Sequence, residues 1–155
     1  MSLHIMARIG GEHFAFPAAD VEEAVDAPVI EWVPMAPDGM LGQTAYRGRM
    51  VGAWDAARLF RLAAPALGGA ALVLRDGERR IALVVDDATE MVRIPAADVR
   101  ATPPGADTDG VLSGIWFRPR RRVGRAGTPL VNVVRVDALA ALALQRGTLV
   151  DGMTR

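Results

Sequence analysis

Cysteine and lysine are both missing from this chain of 155 residues. Without cysteine there is no disulfide framework, no thiolate metal site and no cysteine nucleophile. Without lysine no GxxxxGK(S/T) phosphate loop can exist, and no glycine-rich stretch sits at a strand-to-helix junction. His4 and His13 are the only histidines, which leaves little material for a metal cluster or a triad base. Ser113-Gly114 lacks the GxSxG surroundings of a nucleophilic serine. No apolar run reaches the roughly 18–20 residues that a membrane-crossing helix needs, and no charged start leads into an apolar leader. The expectation is a cytoplasmic protein that is not an enzyme, with no metal and no cofactor.

What is present is apolar residues, arginine and turn formers. The chain is 51% hydrophobic and 23% charged, enough to build a core and too apolar for disorder. Its length fits one globular domain or two very small ones. We place a single domain over residues 5–145, with flexible termini at 1–4 and 146–155. Eighteen basic residues, all arginine, balance eighteen acidic ones. That neutrality argues against a protein whose main work is coating phosphate backbones. Arginine gives any charged contact a planar, forked geometry suited to carboxylates.

Dense punctuation by glycine and proline divides the chain into short runs. Ile5 to Ile9 and Phe14 to Phe16 flank Gly10-Gly11 and read as a hairpin closed by Pro17. Asp20 to Val25 carries apolar residues at helical spacing and reads as a short helix or turn. Pro28 to Val33 reads as a strand. A second hairpin spans Gly39 to Tyr46 and Met50 to Trp54 around Arg47-Gly48-Arg49, and Asp55 offers an N-cap to a helix over 56–62. Ala70 to Arg75 and Arg79 to Val85 flank Asp76-Gly77, a favoured hairpin turn. Both runs are apolar on both faces, so this hairpin is expected to lie between two layers. Thr89 to Ile94, Val111 to Phe117 and Leu130 to Val136 are further strands, and 95–109 reads as loop. Asp137 is placed as the cap of a last helix, Ala138 to Gln145, stopped by Gly147.

The chain also echoes itself. Gly39-Met40-Leu41 precedes a strand, an arginine-bearing turn, an apolar strand and a capped helix at Asp55. Gly110-Val111-Leu112 precedes the same series, ending at Asp137. Two related β units sharing one core follow from this, each too small to bury much alone. Many short strands with Gly and Pro turns fit barrels better than a parallel sheet.

Three charged features have bland readings. His4 and His13 are assigned to solvated loops. Asp86 and Asp87 are consecutive strand residues and point to opposite faces, so they cannot share a proton or a metal. Arg118, Arg120, Arg121, Arg122 and Arg125 form a basic cluster just after Trp116 and Phe117. A solvated hairpin tip is its simplest account. A single-stranded nucleic-acid surface or contact with an acidic partner are the alternatives.

The order of these features resembles the CheW-like domain of bacterial chemotaxis coupling proteins, over roughly Ile5 to Leu144. Val21-Glu22-Glu23-Ala24 is similar to the family's Val-x-Glu-Ile segment. Gly42-Gln43-Thr44-Ala45-Tyr46-Arg47-Gly48, followed by Met50-Val51-Gly52-Ala53-Trp54-Asp55, is similar to its most recognisable stretch. Leu83-Val84-Val85-Asp86, Gly110 to Gly114 and Leu130 to Val133 complete the series. The resemblance implies a mainly β fold: two five-stranded SH3-like β-barrels sharing a hydrophobic core, with a few short helices including a C-terminal one. It also implies a non-catalytic adaptor that bridges a chemoreceptor cytoplasmic tip and the regulatory domain of a histidine kinase, with no nucleic acid and no membrane insertion. The partner-binding residues carried over are Val21, Glu23, Tyr46, Arg47 and Gly48. Here Val21 would give apolar contact while Glu23 and Arg47 orient a receptor helix by charge. Alternative roles are a nucleic-acid-binding double barrel using Arg118 to Arg125, or a self-associating module in a chemosensory-like pathway such as pilus motility.

The sequence departs from the family pattern where partners would touch. Ala45-Tyr46 stands in place of Asn-Leu, Gln43 in place of an apolar residue, Gly52 in place of a common proline, and Ala24 in place of a larger aliphatic. Burial patterns tolerate such swaps, so they bear on the partner rather than on the fold.

Overall fold

Gly10 and Gly11 both take positive φ, 58° and 82°, and fold β1 (Ser2–Ile9) back onto β2 (Glu12–Pro17). Gly77, at φ 63°, does the same between β6 (Ala70–Asp76) and β7 (Arg79–Val85). Each hairpin is the nucleus of one sheet in the computed structural model, which describes residues 2–63, 66, 68–119 and 130–154, with side chains to residue 147. The remaining strands are β3 (Val21–Asp26), β4 (Met40–Tyr46), β5 (Arg49–Asp55), β8 (Asp87–Ile94), β9 (Val99–Arg100), β10 (Leu112–Phe117) and β11 (Leu130–Val134). One sheet runs β8-β1-β2-β11-β10-β9 and the other β3-β6-β7-β5-β4.

The echo in the sequence is a repeat in the fold. In each sheet the nuclear hairpin meets its neighbour in parallel, β2 against β11 and β7 against β5, and every other pairing is antiparallel. Register shifts fall at matching places, between Met40 and Gly42 and between Leu112 and Gly114. A Cβ on Gly42 would overlap the Glu31 carbonyl oxygen, and one on Gly114 would overlap that of Arg100. Both glycines therefore let a crossing backbone approach.

The mainly β fold and the shared core are as the sequence implied. Leu72, Leu74 and Leu83 face a central cluster with Phe14, Phe16 and Leu139, while Val73, Ala82 and Val84 face a second cluster with Tyr46 and Val51. A third cluster around Met6, Trp116 and Val131 lies inside the other sheet. The β6–β7 hairpin thus spends both faces on burial, which is why its strands do not alternate. Each buried leucine contributes about 1.5–3 kcal/mol. Neither backbone ladder closes on itself among the described residues, so β3 and β4 remain the edges of their sheet and β8 and β9 those of the other.

Several local expectations need correction. Residues 21–26 form β3, not a helix or turn; only Ala18–Asp20 makes a single 3₁₀ turn. Pairing to β6 overrides the helical spacing, as tertiary contacts commonly do for a short window. Pro28 to Val33 is not a strand: only Glu31 bridges to Gln43, because prolines bound the run. The first helix, α1, is shorter than expected, Ala56–Leu59, although Asp55 caps it by accepting from the Ala57 N–H at 2.9 Å. The last helix, α2, spans Val136–Thr154. Its first intrahelical bond runs from Leu139 N–H to the Arg135 carbonyl, so Arg135 takes the cap position and Asp137 sits in the first turn. Gly147 does not stop α2, because a glycine ends a helix by taking positive φ and this one keeps helical geometry. Val136, Leu139, Ala140 and Ala143 are buried at helical spacing. His4 is not in a solvated loop but buried in β1, its Nδ1 3.0 Å from the Ser2 carbonyl oxygen.

Candidate functional site

Arg47 and Gly48 form the two-residue loop between β4 and β5, with φ of 47° and 76°. Positive φ at both positions marks a primed turn, whose twist matches the flanking strands and which fixes the hairpin register. Arg47 is exposed, and its guanidinium carbon lies 5.3 Å from the centroid of the Tyr46 ring. That distance allows a cation–π contact, which takes rotamer freedom from the arginine.

Tyr46 is buried, 8% exposed, and its hydroxyl must find an acceptor. It donates to Glu22 Oε2 at 3.0 Å. The other carboxylate oxygen of Glu22 meets Arg80 Nε at 2.7 Å and Arg75 at 3.6 Å. Arg75 also donates to the Ala19 carbonyl at 2.9 Å. Desolvation pushes the Glu22 carboxyl upward, but the Tyr46 hydroxyl and the Arg80 and Arg75 guanidinium groups outweigh it and leave it below the usual glutamate range. Burial, then the hydrogen bond to Glu22, raises the Tyr46 phenol above its ordinary value.

The geometry of β3 explains why Glu22 rather than Glu23 enters this network. Val21 pairs Leu74 and Glu23 pairs Val73, so Glu22 is the extra residue of a β-bulge. A bulge re-aims a side chain without ending the strand. The result is a side-chain link between β3 and β4, the two edges of the five-stranded sheet, across one end of the second core cluster.

The structure brings Tyr46, Arg47 and Gly48 together at the hairpin tip. Val21 is half-buried against the central core, and Glu23 is exposed and makes no ion pair with the described residues. These two sit on the opposite edge, which the Glu22–Tyr46 hydrogen bond links to the tip, and the Glu23 charge also acts on the Tyr46 phenol. Sequence reasoning missed Glu22, Arg75 and Arg80. The chain's single tyrosine, at a strand position needing a hydroxyl acceptor, was the available signal.

Gln43 and Gly52 pair across the same hairpin. Both line a groove of about 650 Å³ between residues 33–37, the sheet and α2, on the face opposite Tyr46. Gly52 carries the Trp54 indole: an added Cβ would stand 3.1 Å from its Nε1. Of the basic cluster, Arg118 pairs with Glu90, while Arg120, Arg121, Arg122 and Arg125 lie outside the described residues. Of the two aromatic residues just upstream, Trp116 is buried and Phe117 is exposed. No described helix is long and apolar enough to cross a membrane.

A family model described as the CheW-like domain matches residues 4–143. The fold is similar to the crystal structure of the scaffolding protein TtCheW from Thermoanaerobacter tengcongensis, with a TM-score of 0.74 and 16% identity, over 89% of this chain and 86% of that one. No curated protein matches.

Proposed function

The chain belongs to the CheW-like domain family, and from that premise we propose that it is a non-catalytic adaptor joining a chemoreceptor's cytoplasmic tip to the regulatory domain of a histidine kinase in the cytoplasm. The observation that carries the reading is the family match over residues 4–143 together with an exposed Arg47 held on a rigid two-residue turn. An amphipathic receptor helix would lay its apolar stripe near Val21, and Arg47 and Glu23 would set its orientation by charge. Such rim charges contribute specificity and association rate more than raw affinity. Gly48 keeps the turn in shape, since its positive φ suits glycine.

The test is a pull-down and titration against a receptor-tip fragment and a kinase regulatory domain. Binding to both supports the reading. No binding to either at concentrations on the order of 10–100 μM overturns it.

A further inference from the structure

The five-stranded sheet has an open backbone ladder, yet its two edge strands are tied by one hydrogen bond between side chains, Tyr46 on β4 to Glu22 on β3. The Tyr46 hydroxyl is the group that makes the tie. The Tyr46 ring face carries the Arg47 guanidinium. Glu22 in turn is fixed from below by Arg80 and Arg75, and Arg75 is fixed by the Ala19 carbonyl. Each of these groups is on or beside one end of the second core cluster, so the chain of contacts is continuous from the start of β3 to the hairpin tip.

We propose that Glu22 is a positioning residue for Arg47: by anchoring the Tyr46 hydroxyl it fixes the ring on which the guanidinium rests, and so presets the arginine for a carboxylate-bearing partner. The inference rests on the adaptor reading for its biological meaning. Its mechanics stand on this chain alone. A long arginine on a solvent-facing turn samples many rotamers, and binding must pay for stopping that motion. Here the stopping is done in the free protein. The ring does it, and the ring is held because its hydroxyl is captured on one side while Val51 and Val73 pack with it in the core.

The test uses the full chain and three variants. Tyr46→Phe keeps the ring and removes the tie. Glu22→Gln keeps an acceptor for the hydroxyl and is the conservative rescue. Glu22→Ala removes the acceptor outright. The first readout is NMR of the Arg47 side chain, its Nε–H relaxation and the ring-current shift of its δ protons. The second is affinity for a receptor-tip helical hairpin. We expect Tyr46→Phe and Glu22→Ala to raise the mobility of the Arg47 Nε–H, reduce the ring-current shift and weaken binding about twofold to fivefold, with Glu22→Gln close to the parent. Arg47 dynamics identical to the parent in both Tyr46→Phe and Glu22→Ala would overturn the proposal, whatever the affinity does. Altered Arg47 dynamics in a protein whose parent binds neither receptor tip nor kinase domain would uphold the positioning role and sink the adaptor reading instead.

Discussion

Glu31 and Gln43 exchange both backbone hydrogen bonds, at 2.7 and 2.8 Å, and thereby lay the Glu31 carbonyl across Gly42. Gly42 has φ of 150° and no room for a Cβ. Gly42→Ala is therefore expected to destabilise the fold by about 3 kcal/mol or more through overlap and backbone strain. In thermal unfolding that is a loss of roughly 6–12 °C. Gly114→Ala, under the Arg100 carbonyl, is expected to behave alike. A shift below about 2 °C in either would mean that the crossing backbone is not held there.

The two helix starts separate a true cap from an acidic residue in a first turn. Asp55 is buried, and one of its oxygens accepts from Ala57 N–H at 2.9 Å and Ala66 N–H at 3.4 Å. Asp55→Ala is expected to cost about 1–2 kcal/mol. Asp137 is exposed and is favoured by the helix dipole and by a solvent-facing ion pair with Arg135 at 3.6 Å, both weak, so Asp137→Ala should cost less than about 1 kcal/mol. Denaturant unfolding of both variants checks the order; equal losses would contradict it.

Two carboxyl groups give opposite dependences on pH. Glu22 has a lowered pKa in the folded state, so its stabilisation is present above the ordinary glutamate value and is lost as pH falls through the lowered one. The stability gap between the parent and Glu22→Gln should be open at neutral pH and close in acid. Asp20 is raised, first by burial and then by Asp137, against the pull of Arg75. Its charge costs stability at neutral pH, and the cost disappears as pH falls through the raised value toward the unfolded one. Asp20→Asn should therefore melt higher than the parent at pH 7 and at the same temperature in strong acid. Melting curves between pH 3 and 7 decide both signs.

Tyr46 is the only tyrosine, which makes its ionisation directly visible in the ultraviolet. The titration midpoint of the native protein should lie above the free phenol value, and Glu22→Gln should lower it, because an adjacent carboxylate disfavours phenolate. An unchanged midpoint would show that the hydroxyl is not facing Glu22.

Leu83 is fully buried in the central cluster and Met91 is 58% exposed. Leu83→Ala is expected to cost about 2–5 kcal/mol, and Met91→Ala to stay within about 0.5 kcal/mol. Chemical denaturation of the pair tests whether the shared core carries the stability of both sheets.

The repeat was legible because glycines mark turns locally and Asp55 marks the first helix start, although its counterpart Asp137 is not a cap. Arg47-Gly48 and Asp55 do in the fold what the turn and cap readings expected, whereas the close backbone approaches at Gly42 and Gly114 emerge only in the structure. The β6–β7 hairpin was legible for a different reason: a run apolar on both faces has only one way to be buried. What escaped was decided by contacts distant in sequence. Residues 21–26 carry a helical spacing, and β6 turns them into a strand. Glu22 rather than Glu23 faces inward because a one-residue register shift moves a side chain to the other face, and no composition signals that shift. Gly147 looks like a stop, but the residue type permits the left-handed conformation without imposing it. The hairpin was read from its turn residues and its partner-binding role from the resemblance, while the charges that hold the tip were missed.

The parallel pairing of β2 with β11 joins segments 119 positions apart in the case of His13 and Asn132, whose side-chain amide reaches the His13 carbonyl. All five strands of the other sheet lie between them in the chain. A nascent polypeptide emerging from the ribosome therefore completes the inner unit first, while the amino-terminal hairpin waits with one flank unzipped until the last strand is synthesised. Stalling translation before Leu130 should leave that flank open to proteases, and release of the finished chain should seal it.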